Sequence, residues 1–204
     1  MENKADQYFT QNPTSKSEER EIEYCILDKR IKFIVDNGVF SKAHVDIATN
    51  FMLNVLIKEK IHGDVLDLGC GYGTIGITLK KFFENIKVTM LDINERAIGL
   101  ANKNVKINGL KDIVIKESDG FDIIKEDEKF DFVVTNPPIR AGKKVIYKMY
   151  EDSFNHLKKG GALYLVINKK HGAPSTKEFL TSLFGNCEVL DKKTGFNVIK
   201  CVKE

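Results

Sequence analysis

The sequence predicts an α/β fold built on an open, mostly parallel sheet of seven strands with helices on both faces. Three observations carry that expectation. From Gly63 onward, short apolar runs alternate with longer stretches of helical periodicity, and such alternation over about 140 residues is the pattern of βαβ units. The first of these runs ends in a glycine-rich loop, Gly69-Cys70-Gly71-Tyr72-Gly73, that opens straight into a helix. The last two runs are separated only by a turn at Thr194-Gly195, so the last strand closes the sheet antiparallel.

In chain order, residues 1–20 are polar and contain no apolar stretch of the kind a secretory signal needs, so they read as a polar N-terminal segment. Residues 22–27 and 31–35 are β-rich runs either side of Asp28-Lys29-Arg30, which predicts a short N-terminal hairpin, and Asp36-Asn37-Gly38 is a further turn signal. A helix is expected over residues 44–58 with Ile47, Phe51, Val55 and Leu56 on one face. Residues 21–60 thus extend a core over 61–204, the two forming one domain. In that core, residues 65–68, 87–91, 113–116, 130–135, 162–167, 187–192 and 197–202 are expected as strands. Helices are expected over 74–83, 95–107, 145–157 and 176–184, the third stopped by Lys158-Lys159-Gly160-Gly161.

The bulk composition excludes more than it selects. A chain of 204 residues suits one domain, and its 42% apolar content is enough for a core. The formal net charge of +3 is too small to argue for nucleic acid by itself. The four cysteines (Cys25, Cys70, Cys187, Cys201) show no CxxC spacing and no paired histidines, so no metal is expected. They read as buried reduced thiols of a cytoplasmic protein. No apolar run reaches the roughly 18 residues of a membrane span.

In open α/β sheets, ligands bind beyond the carboxyl ends of the strands, at the topological switch point. The chemistry-bearing residues fall there. Gly69, Gly71 and Gly73 allow a sharp turn and close approach to a ligand, unless they serve only to pack the helix on the sheet. Asp92 ends the next strand, 21 positions after Gly71, where it can accept hydrogen bonds from ribose hydroxyls. Asp67, just before the loop, would repel a pyrophosphate but suit a cationic amino group. S-adenosylmethionine (SAM) carries an ammonium, a sulfonium and a ribose, and no phosphate. Ser118-Asp119-Gly120 follows the next strand, either as a plain turn or as a further ligand-facing acid. Residues 130–135 then run into Asn136-Pro137-Pro138. Prolines cannot donate to a ladder, so the strand must stop and present Asn136. An amino group conjugated to a ring is a poor nucleophile. The Asn136 side-chain oxygen and the Pro137 carbonyl can accept its two hydrogens, favour the pyramidal form and aim the nitrogen.

The loop Asp67-Leu68-Gly69-Cys70-Gly71-Tyr72-Gly73 resembles the SAM-binding loop of Rossmann-like class I methyltransferases. The Asn-Pro-Pro corner resembles that of members methylating a planar exocyclic or amide nitrogen. Together with GVFSKAHVD (38–46) and NKKHGAPS (168–175), these motifs make residues 20–204 similar to the small-domain (MTS) methyltransferases. The best-known members methylate the guanine amino group of ribosomal RNA. They carry an additional N-terminal domain of similar fold, and this chain resembles their catalytic half alone. The resemblance implies SAM as cofactor, held by Asp67, Gly69, Cys70, Gly71, Gly73, Asp92, Ile93, Asp119, Gly120 and Asn136. Asp119 would reach the adenine amino group, and Asp46 would lie near the methionine end. It implies Asn136, Pro137, Pro138 and Ile139 as the catalytic corner. Ile139 stands where adenine-amino and glutamine methylases place an aromatic, so base stacking would come from Phe40, Tyr8 or Phe9. Phe40, Ser41 and Lys42 would flank the substrate pocket.

The implied partner is RNA, ribosomal RNA or a ribosomal subunit foremost. Arg140, Lys143 and Lys144 follow the corner, and Lys169, Lys170 and His171 follow the next strand, so all are placed to neutralise phosphates around an extruded base. Gly142 and Gly172 would let these loops close. Lys158-Lys159 and Lys192-Lys193 read as solvated faces. Two other readings stay open: the same chemistry on a protein glutamine or small molecule, and a non-catalytic RNA-binding module of the same fold.

Overall fold

The hairpin comes first in the computed structural model, which describes residues 16–37, 39, 44–170, 172–193 and 195–204. The expectations at Tyr8, Phe9, Gly38, Phe40, Ser41, Lys42, His171 and Thr194 lie outside the described residues. Strands β1 (Arg20–Ile26) and β2 (Lys29–Val35) pair antiparallel, with Ile26 opposite Lys29. The turn is therefore Leu27-Asp28, tighter than the expected Asp28-Lys29-Arg30. Leu27 looks like strand in the sequence, yet it takes a positive φ of 50° and is 69% exposed. Two-residue turns of this hand match the twist of the strands they join. Tyr24, Ile26, Ile31, Phe33 and Val35 alternate inward and are buried. Ser17 Oγ and the Glu18 N–H donate to Asp36, holding the start of the described chain against the end of β2.

Helix α1 (Ile47–Leu56) is capped by Asp46, whose carboxylate accepts the Thr49 N–H. Its inward side is Ala48, Met52 and Leu56 with Thr49, Phe51 and Leu53. Ile47, expected on that face, is 60% exposed. The i, i+4 series that packs starts one residue later than the one the sequence suggested.

The core then runs β3 (Asp64–Leu68), α2 (Thr74–Phe82), β4 (Lys87–Asp92), α3 (Glu95–Ile107), β5 (Ile113–Glu117), β6 (Phe130–Thr135), α4 (Lys143–His156), β7 (Leu157–Asn168), α5 (Ala173–Phe184), β8 (Glu188–Lys193) and β9 (Phe196–Val202). The seven strands are ordered β5-β4-β3-β6-β7-β9-β8, and β9 is antiparallel to both its neighbours. The hairpin and α1 to α3 cover one face, and α4 and α5 cover the other, giving two apolar cores. Phe130 and Phe132 belong to opposite cores although they are two residues apart. A register shift between them, at Asp131, breaks the period-two alternation.

β7 is longer than expected and contains the Lys158-Lys159-Gly160-Gly161 run. The Gly160 N–H donates to Lys203 O at 2.7 Å, and the Lys203 N–H to Gly161 O at 2.9 Å, so both glycines extend the ladder. Lys158 keeps a side-chain exposure of 40% and is also ion-paired. Its Nζ lies 2.8 Å from both Asp64 and Asp131 carboxylates, which holds Asp131 below the usual carboxylate range even though its partial burial acts in the opposite sense. All four cysteines are free thiols, but only Cys70 and Cys201 are buried, and Cys25 is exposed. Among the described residues no helix is long and apolar enough to cross a membrane, and no group of three metal-ligating side chains occurs.

Candidate active site

From β3 the chain moves to β4 on one side of the sheet, while β6 pairs with β3 on the other. That divide is the switch point, and a cavity of about 360 Å³ opens at the carboxyl ends of the strands there. The glycine loop forms its floor. The Gly69 and Cys70 N–H groups donate to Leu91 O at 2.8 and 2.9 Å. The Gly71 N–H donates to Asp92 Oδ2 at 2.7 Å, and the Asn94 N–H to Asp92 Oδ1 at 2.8 Å. Asp92 thus ties the loop to the start of α3. Burial pushes its carboxyl up from the usual range, while N–H bonds from Asn94, Gly71 and Ile93 pull the other way. A carboxylate has about four acceptor sites, so Asp92 keeps capacity for a ligand on the wall it helps form.

The loop glycine Gly71 and the helix glycine Gly76, which lies outside the three loop glycines, differ in their surroundings. Gly71 has φ +56° and no atom within 4 Å of where a side chain would begin, so its backbone is open to a ligand. Gly76, inside α2, would set a Cβ 2.6 Å from Met90 Sδ, so it packs the helix on β4.

Asp67 is not on the cavity wall. It is fully buried behind the loop, where Oδ2 accepts the Gly76 N–H at 2.8 Å and Oδ1 has no partner among the described residues. Burial, opposed by the Gly76 bond and assisted by the charge of Asp92, pushes its carboxyl up to about 7. The folded chain therefore holds a proton at Asp67 that the unfolded chain releases above about pH 4. Asp67 accordingly lowers stability progressively as pH rises from about 4 to about 7, with no further change above. We expect the melting-temperature difference between Asp67→Asn and the wild type to grow across that window and level off above it. A difference independent of pH would contradict the buried, raised carboxyl.

Cys70, Ile93, Ser118, Asp119 and Gly120 line the cavity. The last three also form a turn, with Ser118 Oγ donating to Gly120 O at 3.0 Å and the Ser118 N–H to Asp92 O at 2.9 Å. Asn136, Pro137 and Pro138 line the opposite wall. Thr135 Oγ1 donates to Leu68 O at 2.8 Å, fixing the end of β6 to the start of the glycine loop. Asn136 Nδ2 donates to Thr49 Oγ1 at 2.9 Å and to Asp46 Oδ2 at 3.2 Å. Asp46 therefore reaches the site through Asn136 as well as through the wall. Pro138 O accepts the Ala141 N–H, and no bond among the described residues uses the Pro137 carbonyl.

Ile139 departs from expectation. It opens the short 3₁₀ turn Ile139–Ala141 and packs into the α4/α5 core, away from the cavity lining. An aliphatic residue at this position anchors the corner from behind. Arg140, Lys143, Lys144, Lys169 and Lys170 are all exposed and none lines the cavity. They follow β6 and β7, which pair directly, so they share one rim. Val39, Thr49, Tyr72, Val145 and Met149 line the cavity without having been singled out in the sequence. Thr49 is the informative omission. Asp46-x-x-Thr49 reads as an ordinary helix cap, and its contact with Asn136 spans 87 positions, beyond any local pattern.

Comparison with known proteins places this geometry. The Methyltransferase small domain (MTS) family matches residues 30–200. Bacillus subtilis YbxB, a protein described as uncharacterized, is 40% identical over 199 residues, covering 98% of this chain and 99% of the relative. Ribosomal RNA small subunit methyltransferase C of Actinobacillus pleuropneumoniae is 38% identical over 166 residues, covering 79% of this chain and 49% of the relative. The T. thermophilus 16S rRNA N2 guanine methyltransferase RsmC, solved with AdoMet and guanosine, superposes with a TM-score of 0.82 at 28% identity. That match covers 94% of this chain and 52% of the other, so the chain spans about half the length of these ribosomal RNA methyltransferases. The family match over most of the chain, on a fold with this strand order and this glycine loop, shows that it belongs to the methyltransferase small domain family.

Proposed function

We propose that the chain is a SAM-dependent methyltransferase that modifies the exocyclic amino group of guanine in RNA, ribosomal RNA foremost. One observation carries the reading: the Asn136 and Pro137 acceptors lie on the wall of the same cavity as the glycine loop and Asp92. The RsmC neighbour, solved with AdoMet and guanosine, supports both halves of it.

In this reading Asp92 accepts the ribose hydroxyls of SAM, Asp119 faces its adenine amino group, and the Gly69–Gly71 backbone lies against the methionine portion. Asp67, buried behind the loop, supports the loop's backbone through the Gly76 N–H and does not meet the ligand. SAM supplies an electrophilic methyl on a sulfonium. Asn136 Oδ1 and the Pro137 carbonyl hold the two N–H groups of the acceptor, so its lone pair points along the transfer axis. Methyl transfer to a nitrogen held this way would form its new bond as the sulfur–methyl bond broke, and water would take the proton from the charged product. No strong base is required of the chain; orientation and electrostatics do the catalysis.

The rim cations bind the phosphates. Arg140→Ala combined with Lys170→Ala should weaken binding across RNA sequences and reduce the slope of log affinity against log salt by about 1.5, two phosphate contacts' worth. An unchanged slope would remove RNA from this rim. The acceptor class is tested by incubating labelled SAM with RNA and protein fractions from cells lacking the chain. Label should become RNase-sensitive; protease-sensitive label would instead give the chemistry a protein acceptor.

A further inference from the structure

The Asn136 amide can act as an acceptor only if its oxygen, and not its NH₂, faces the substrate. We propose that Asp46 and Thr49, at the start of α1, are positioning residues that hold the Asn136 amide in that orientation. The inference rests on the methyltransferase reading above.

A carboxylate carries acceptors only. The Asn136 atom 3.2 Å from Asp46 Oδ2 is therefore the NH₂ nitrogen. Thr49 Oγ1 accepts from the same nitrogen at 2.9 Å and donates to Asp46 Oδ2 at 3.3 Å. A hydroxyl has one donor and can serve both bonds in only one direction. Asp46 is itself fixed, because its Oδ2 also accepts the Thr49 N–H at 2.9 Å as the cap of α1. Reversing the amide would set Oδ1 against the Asp46 carboxylate, acceptor against acceptor. It would also turn a donor toward an acceptor group that itself presents N–H. Thr49 is buried, and both residues line the cavity, so the network is held in place rather than loosely solvated. The orientation of the catalytic amide thus comes from the N-terminal extension, outside the βαβ core.

Thr49→Val keeps the side-chain shape and removes the hydroxyl. We expect kcat to fall about tenfold, the effect of roughly one hydrogen bond, with SAM affinity unchanged and the variant still folded by thermal melt, and Thr49→Ser to restore kcat. Asp46→Asn still caps a helix but no longer forbids the reversed amide, and should lower kcat in the same way. In an Asn136→Ala background neither change should cost anything further, because both act through Asn136. A loss that persists in that background, or one that appears in SAM affinity instead of kcat, overturns the proposal. A second readout needs no acceptor: the Asn136 side-chain NH₂ resonance, assigned by its absence in Asn136→Ala. Its protons should exchange slowly in the wild type and about tenfold faster in Thr49→Val; equal exchange also overturns the proposal. If the wild type methylates no RNA, the functional reading fails, and the amide exchange still decides whether Asn136 is held.

Discussion

Asn136→Ala should lower kcat by about a hundredfold or more while leaving SAM affinity nearly unchanged. Removing one pre-oriented polar group from a catalytic site has that scale of effect. The split follows from geometry. Asn136 stands on the wall formed by the end of β6, opposite the glycine loop, and its NH₂ is already committed to Thr49 and Asp46. What truncation removes is the free Oδ1, which in the proposed mechanism serves the acceptor amino group in the transition state and not SAM. Loss confined to kcat and kcat/KM identifies an interaction made only in the transition state. A large loss of SAM binding, seen by calorimetry, would mean that Asn136 holds cofactor and not acceptor.

Asp92→Ala should do the reverse. Its carboxylate holds the Gly71 and Asn94 N–H groups at 2.7 and 2.8 Å, so truncation removes both the proposed ribose acceptor and the tie that shapes the loop. Hydrogen bonds to a charged group contribute about 1.5–3 kcal/mol each, which is roughly tenfold to a hundredfold in affinity. We expect SAM dissociation to rise by about a hundredfold, with a thermal melt confirming that the variant is folded. Activity should recover in part at high SAM. Unchanged affinity would contradict the ribose assignment.

These two residues stood out in the sequence because Asp92 ends β4 and Asn136 directly follows β6. The bounds of α3 and β6 match expectation because Asn94 caps the one and Asn136-Pro137-Pro138 stops the other, both local signals. The glycine loop, Asp92 and Ser118-Asp119-Gly120 converge because a parallel sheet brings successive strand ends to one edge. What the sequence did not show is long-range. The Lys158–Gly161 run looks like a helix stop, and becomes strand because Lys203 offers its backbone across the ladder. Asp67 looks like a cofactor contact, and is buried behind the loop by the Gly76 N–H. Ile139 follows the Asn-Pro-Pro corner in sequence, but the 3₁₀ turn carries it into the α4/α5 core. Ile47 matches a helical stripe whose packed series is set by the sheet beneath it.

The central claim is that Asn136 and Pro137 present an amino group on a base to an activated methyl. The most direct test is to react the purified chain and labelled SAM with ribosomal RNA and subunits from cells lacking it, then digest the product to nucleosides. The account predicts label in N2-methylguanosine, lost with Asn136→Ala. Label in a ring-nitrogen or ribose methyl product, or no labelled nucleoside despite measured SAM binding, would contradict it.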